Sequence, residues 1–244
     1  MMNYALCLYG HFRSFDDCWP GLQHNLLVPN GIRDIFAVSW ADSMGYFQHP
    51  GNTNSPLTHI GYDPTSPGVA PDYVAKVLLT ISPRSFHFEN YHLRDKEFEG
   101  IVNELRPFYH TSQDHRPKGT LGQVHGRCTA LQLARQHEER HGFRYDGIVC
   151  TRWDVDYTRP IDLAQLSLDT MTMDGMYGPD VISDAWAYGP SNAMERWATQ
   201  FMARERLCQL GTMNTGPHEW LRAHFDAAEI PWSNNPNLGI YIRR

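Results

Sequence analysis

An α/β fold with a mostly parallel or mixed central sheet flanked by helices is predicted by three features of the sequence. Short apolar runs at Tyr4-Ala5-Leu6-Cys7-Leu8-Tyr9, at 34–40 and at Ile148-Val149-Cys150 read as fully buried strands. Strands covered on both faces lack the polar alternation of a half-exposed sheet. Between the first two runs there is room for one helical crossover, the βαβ pattern of a parallel sheet. Later apolar residues recur at steps of three and four, the mark of helices with one buried face.

Taken in order, the first strand closes at Gly10, and 10–14 reads as a turn before a helix near 19–27. Residues 42–70 are rich in Gly, Pro, Asn, Ser and Thr without apolar period, and are expected to form a long surface loop. Pro71 and Asp72 suit the first turn of a helix carrying Ala75, Val77, Leu78 and Leu79. A short strand is expected over 85–88, whereas 89–119 is polar and gives no clear element. Thr120 and Gln123 have capping-box spacing, and Val124, Cys128, Leu131 and Ala134 then define an apolar helix face ending near His141-Gly142. Strands are read at 171–177, 185–188 and 238–242, with helices opened by Ser191 and Pro217. With no internal repeat and no linker, 1–244 reads as a single domain.

The net charge of −6, without a dense Lys/Arg run, gives no reason to expect nucleic acid as a partner. Five cysteines without metal-site spacing do not make a disulfide framework; Cys7, Cys128 and Cys150 sit in apolar segments and read as buried thiols. No apolar stretch reaches the length of a membrane span and no leader pattern opens the chain, so a cytoplasmic location without a transmembrane segment is expected.

Chemistry is expected where the last central strand ends, at Thr151-Arg152-Trp153-Asp154-Val155-Asp156. Read as a continuing strand, alternation points Arg152, Asp154 and Asp156 one way, and Trp153 and Val155 into the body. Two close carboxylates need positive charge beside them, from Arg152 or from a divalent cation with a preference for oxygen ligands. An Arg–Asp ion-pair cluster and a ligand site fit this spacing equally well. Gly10 permits a tight turn, and Arg13 three residues on can reach phosphate oxygens.

The segments 5–14 with its Gly-x-x-Arg, 34–40, 145–156 and 183–189 together resemble the nucleotide-diphospho-sugar glycosyltransferases of GT-A type. The narrower likeness is to bacterial and viral glycosyltransferase-like proteins of surface glycans. The resemblance implies a Rossmann-like GT-A domain, a nucleoside diphosphate sugar donor, a glycan or other hydroxyl acceptor, and Mn²⁺ or Mg²⁺ as cofactor. It places Tyr9, Gly10, His11 and Arg13 beside the nucleotide. Asp154 and Asp156 match the Asp-x-Asp element, with Asp156 as direct metal ligand, Asp154 as an indirect ligand or a donor contact, and His218 as a late-chain ligand. In the narrower group the core is Arg-x-Asp, here Arg152 and Asp154, with Asp156 optional and the metal dispensable. Asp184, before an apolar strand, and Glu219, in the first turn after Pro217, compete as general base on the acceptor. The same acids also suit metal-dependent nucleotidyl or phosphoryl transfer, and a non-catalytic nucleotide- or glycan-binding module is the third reading.

Overall fold

The computed structural model describes residues 2–41, 44–47, 59–62, 68–105, 117–178, 181–205 and 217–243. The first apolar run forms β1 (Tyr4–Tyr9), buried throughout. Its side chains divide by parity, with Tyr4, Leu6 and Leu8 in one core cluster and Ala5, Cys7 and Tyr9 in another on the opposite face. Such a strand serves only a sheet covered on both sides, and β2 (Asp34–Trp40) and β6 (Gly147–Arg152) flank it as parallel neighbours.

Between β1 and β2 the chain makes a 3₁₀ turn (Phe12–Ser14) and then α1 (Phe15–Leu22), a π-helical turn (Gln23–Leu27) and α2 (Val28–Asn30). Pro20 sits inside α1 and brings no N–H to the helix ladder. Gly21 lets α1 lie against the strand behind it: a Cβ there would stand 2.9 Å from an Asp156 carboxylate oxygen and 3.0 Å from the Tyr157 carbonyl.

The segment expected to be a loop contains β3 (Met44–Phe47) and β4 (His59–Tyr62), paired antiparallel; its other parts before Gly68 lie outside the described residues. Next come α3 (Pro71–Ile81) and β5 (Ser85–Glu89), which extends the sheet beyond β2. The polar stretch that gave no element contains α4 (Tyr91–Leu105), seated on α5 (Pro117–His141) through Tyr91, Phe98, Ile101 and Leu105. Helix α5 opens at Pro117, not at a Thr120 cap: proline lacks the N–H that a first helical residue leaves unused, and Thr120 is buried within the helix.

After β6 the chain forms β7 (Val155–Tyr157), β8 (Met171–Met173), β9 (Trp186–Gly189), α6 (Ser191–Trp197), α7 (Pro217–Ala227), β10 (Trp232–Asn234) and β11 (Ile240–Ile242). Strands β8 and β11 are shorter than expected, and β10 carried no strand signal. The main sheet has the order β10-β8-β9-β6-β1-β2-β5, with β9 antiparallel to both neighbours. Helices α1 and α3 cover one face and α5, α6 and α7 the other, a Rossmann-like arrangement of the GT-A kind. Cys7, Cys18, Cys128 and Cys150 are buried free thiols, while Cys208 lies outside the described residues. No helix among the described residues is long and apolar enough to cross a membrane.

One consequence of this packing concerns pH. His224 on α7 is buried and its Nε2 lies 3.1 Å from the Arg196 carbonyl. Burial pulls its imidazole down to about 4, partly offset by that carbonyl. The unfolded chain takes up this proton near pH 6.5, and the folded chain only near 4. Stability from the neutral imidazole is therefore complete above pH 6.5 and falls by about 3 kcal/mol as pH drops to 4. Urea midpoints across this range should flatten in His224→Gln, which keeps a donor for the carbonyl. An unchanged slope would place the acid sensitivity elsewhere.

Candidate functional site

Strand order reverses at β1. The chain moves from β1 to β2 and β5 on one side, then returns to place β6 on the other. Ligands of open α/β sheets bind outside the carboxyl ends of the strands at such a point. Tyr9 ends β1 beside Arg152, which ends β6. Because β9 runs against β6, the Asp184 that precedes it arrives at the same edge, and Arg152 donates its backbone N–H to the Ala185 carbonyl.

Here the continuous strand read from the sequence is corrected. The chain turns at Trp153-Asp154, and β7 leaves the main sheet to pair with β11. The Trp153 amide bonds the Tyr9 carbonyl, its indole N–H donates to the Val38 carbonyl at 2.9 Å, and the ring is buried with Phe12 and Phe15. Trp153 and Val155 thus face the body as expected. Arg152 and Asp154 also meet: Nε and Nη2 donate to the two carboxylate oxygens at 2.8 and 2.6 Å, a bidentate pair. Asp156 does not join them. It accepts from Arg243 Nε at 3.0 Å, on the α1 side of the second sheet.

Asp154 and Asp184 are each 3% exposed. Arg152 Nη1 lies 4.0 Å from Asp184, whose other oxygen is 3.8 Å from His218 Nδ1. Burial works against the charge on Arg152, but Asp154 and then Asp184 outweigh it and raise its pKa. His218 Nδ1 also lies 2.9 Å from the Ile182 carbonyl, and Tyr177 packs on its ring.

The turn after β1 completes the edge. Gly10 has φ of +103°, a conformation that favours glycine, and its Cα faces the Trp153 ring. His11 is half-buried beside it. Arg13 lies in the 3₁₀ turn and Glu219 in the first turn of α7, but their side chains are outside the described residues. Tyr9 is buried, and its hydroxyl donates to the Asp184 carbonyl, tying β1 to the segment before β9.

The expected metal set of Asp154, Asp156 and His218 is not assembled as one. Asp154 is closed onto Arg152, Asp156 onto Arg243, and His218 stands beside Asp184. Among the described residues no group of three or more His, Cys, Asp or Glu could hold a metal ion.

Two features of this edge were missed. Asp174 follows β8 and is buried; burial pushes its carboxyl up, partly offset by the Ser183 hydroxyl and the Met176 amide. Its signal was an acid directly after Met171-Thr172-Met173, the same arrangement that drew notice at 148–154. At the end of β5, Glu89 accepts from Arg94 Nε at 2.5 Å and lies 3.1 Å from His125 Nε2, whose ring stacks on Trp40. Helical spacing alone does not single out His125.

No family model matches the sequence. No curated protein matches it either. Among solved structures, the chain is similar to mouse xyloside xylosyltransferase 1 in its apo form, at 8% identity and a TM-score of 0.47 over 96% of this chain and 84% of that one. This similarity is weak and concerns the arrangement of the fold only.

Proposed function

We propose that the protein is a glycosyltransferase that moves a sugar from a nucleoside diphosphate sugar to a hydroxyl acceptor, in glycan synthesis. One observation carries the reading: a fixed guanidinium, Arg152, stands where strand order reverses, bonded to Asp154 and facing Asp184. A leaving diphosphate gains negative charge as the bond from the anomeric carbon to its oxygen breaks. A preorganised cation at that place stabilises the charge as it develops. Asp154 acts as a positioning residue, because both of its oxygens already hold Arg152. The Gly10–Arg13 turn and Tyr9 border the nucleotide. As the acceptor oxygen bonds to the anomeric carbon, its proton passes to Asp184, with His218 adjacent; Glu219 is the alternative base.

No divalent cation takes part in this scheme, since Arg152 supplies the positive charge and Asp154 and Asp156 are engaged by arginines. EDTA is therefore expected to leave transfer unchanged, and Mn²⁺ to give no activation. Loss of activity in EDTA, restored by Mn²⁺, would require Asp154 or Asp156 to leave its arginine.

The reading is tested by thermal shift against UDP-, GDP-, CMP- and dTDP-sugars, followed by product analysis. Release of free nucleotide with a glycosylated acceptor supports it, and release of pyrophosphate points to nucleotidyl transfer. The rival reading is a non-catalytic nucleotide- or glycan-binding module. Binding without turnover across an acceptor panel would establish that rival.

A further inference from the structure

We infer that Arg127, with Gln200 and Trp197, forms a buried receptor for a phosphate-type anion on the α5 face of the sheet. Arg127 is 1% exposed and its guanidinium is permanently charged. Aromatic rings cover it, with Cζ 4.6 Å from the Trp197 ring centre and 5.8 Å from that of Tyr9. Those contacts engage the π faces but accept none of its N–H bonds. Nη2 donates to Gln200 Oε1, while Nε and Nη1 are buried with no hydrogen-bond partner among the described residues.

The surroundings repeat the pattern. Gln200 and Trp197 are fully buried, and Gln200 Nε2 and Trp197 Nε1 also have no partner. The Gln200 carbonyl oxygen is committed to Arg127, so its amide nitrogen is the end left over. All four of these nitrogens are donors. Buried donors are nearly always satisfied, and a buried charge is paired. Waters can accept from all four donors but bring no charge to set against the cation. A tetrahedral oxyanion offers several acceptor oxygens and the opposite charge.

The receptor adjoins the site already described. A Cβ on Gly126, next to Arg127 on α5, would lie within 4 Å of Tyr9 Cβ and the Gly10 amide nitrogen. Tyr9 and Arg152 are register partners, and both Arg127 and Arg152 act on the Tyr9 hydroxyl. Two sources supply this chemistry: free inorganic phosphate or pyrophosphate, and the diphosphate of a nucleotide. The second source rests on the function proposed above; the first does not.

Calorimetry on the full chain with phosphate, pyrophosphate, a nucleoside and the matching nucleoside diphosphate separates them. Wild type is expected to bind pyrophosphate, with affinity falling as salt rises, and Arg127→Met to bind it at least about tenfold more weakly. If the nucleoside diphosphate shows the same Arg127 dependence and the nucleoside does not, the anion belongs to the nucleotide. If only the inorganic ions depend on Arg127, the receptor stands and the donor reading loses this support. No anion binding by wild type, or equal binding by a folded Arg127→Met, overturns the inference. Should that variant fail to fold, the wild type decides alone: the Arg127 Nε–H resonance shifts on pyrophosphate titration, and an unmoved resonance refutes the receptor.

Discussion

Arg152→Met is expected to lower stability by about 3–5 kcal/mol, read from urea midpoints, and to abolish the proposed sugar transfer. Methionine fills much of the same volume but leaves Asp154, 3% exposed, without the guanidinium that bonds both of its oxygens. Asp184 loses its neighbouring cation as well. The penalty comes from the orphaned carboxylates more than from any net gain of the pair, so it should be partly reversible. Adding Asp154→Leu removes one buried charge and is expected to restore part of the lost stability, a positive coupling that a double-mutant cycle measures. Full additivity of the two changes would mean that the pair is not closed in solution. Transfer should stay lost in the double variant, which separates the role of Arg152 at the leaving group from its role in the fold.

Asp154→Asn probes the same pair from the other side. The amide matches the carboxylate in size, but one end becomes an N–H facing a guanidinium that has only donors. One of the two bonds that aim Arg152 is then lost, and the group is free to rotate. The expected stability loss is about 1–3 kcal/mol. Transfer is expected to fall about 10²–10³-fold, mostly in kcat, because a misplaced cation is missed most where charge develops. A folded Asp154→Asn with normal turnover would remove the positioning role. A change in KM alone would move Arg152 from the leaving group to ground-state binding.

The strands that build this site were legible because nothing else explains their composition. A run such as Tyr4–Tyr9, apolar on both parities, can be buried only inside a covered sheet. The break at Trp153-Asp154 was not legible, and the reason is geometric. A two-residue turn preserves parity, so Arg152, Asp154 and Asp156 keep the alternation of one strand while the chain changes sheets. Only the partner strand reveals it, and β11 is distant in sequence. Helix α4 escaped notice because its buried residues, Tyr91, Phe98, Ile101 and Leu105, form a narrow stripe among charged neighbours. The pairing of Arg152 with Asp154 was one of two readings that the spacing allowed, and only the burial of both acids shows how closed that pair is.

The docking of β11 on β7 bears on the order in which the molecule assembles. Arg243 gives its amide to the Asp154 carbonyl and its Nε to Asp156, which is 87 residues earlier in the chain. Contacts of such long sequence separation form late, because loop closure must precede them. A nascent chain emerging N-terminus first could complete β1, β2, β5 and β6 while the bend holding Arg152 still lacked its brace. Ligand competence would then be among the last properties to mature during synthesis.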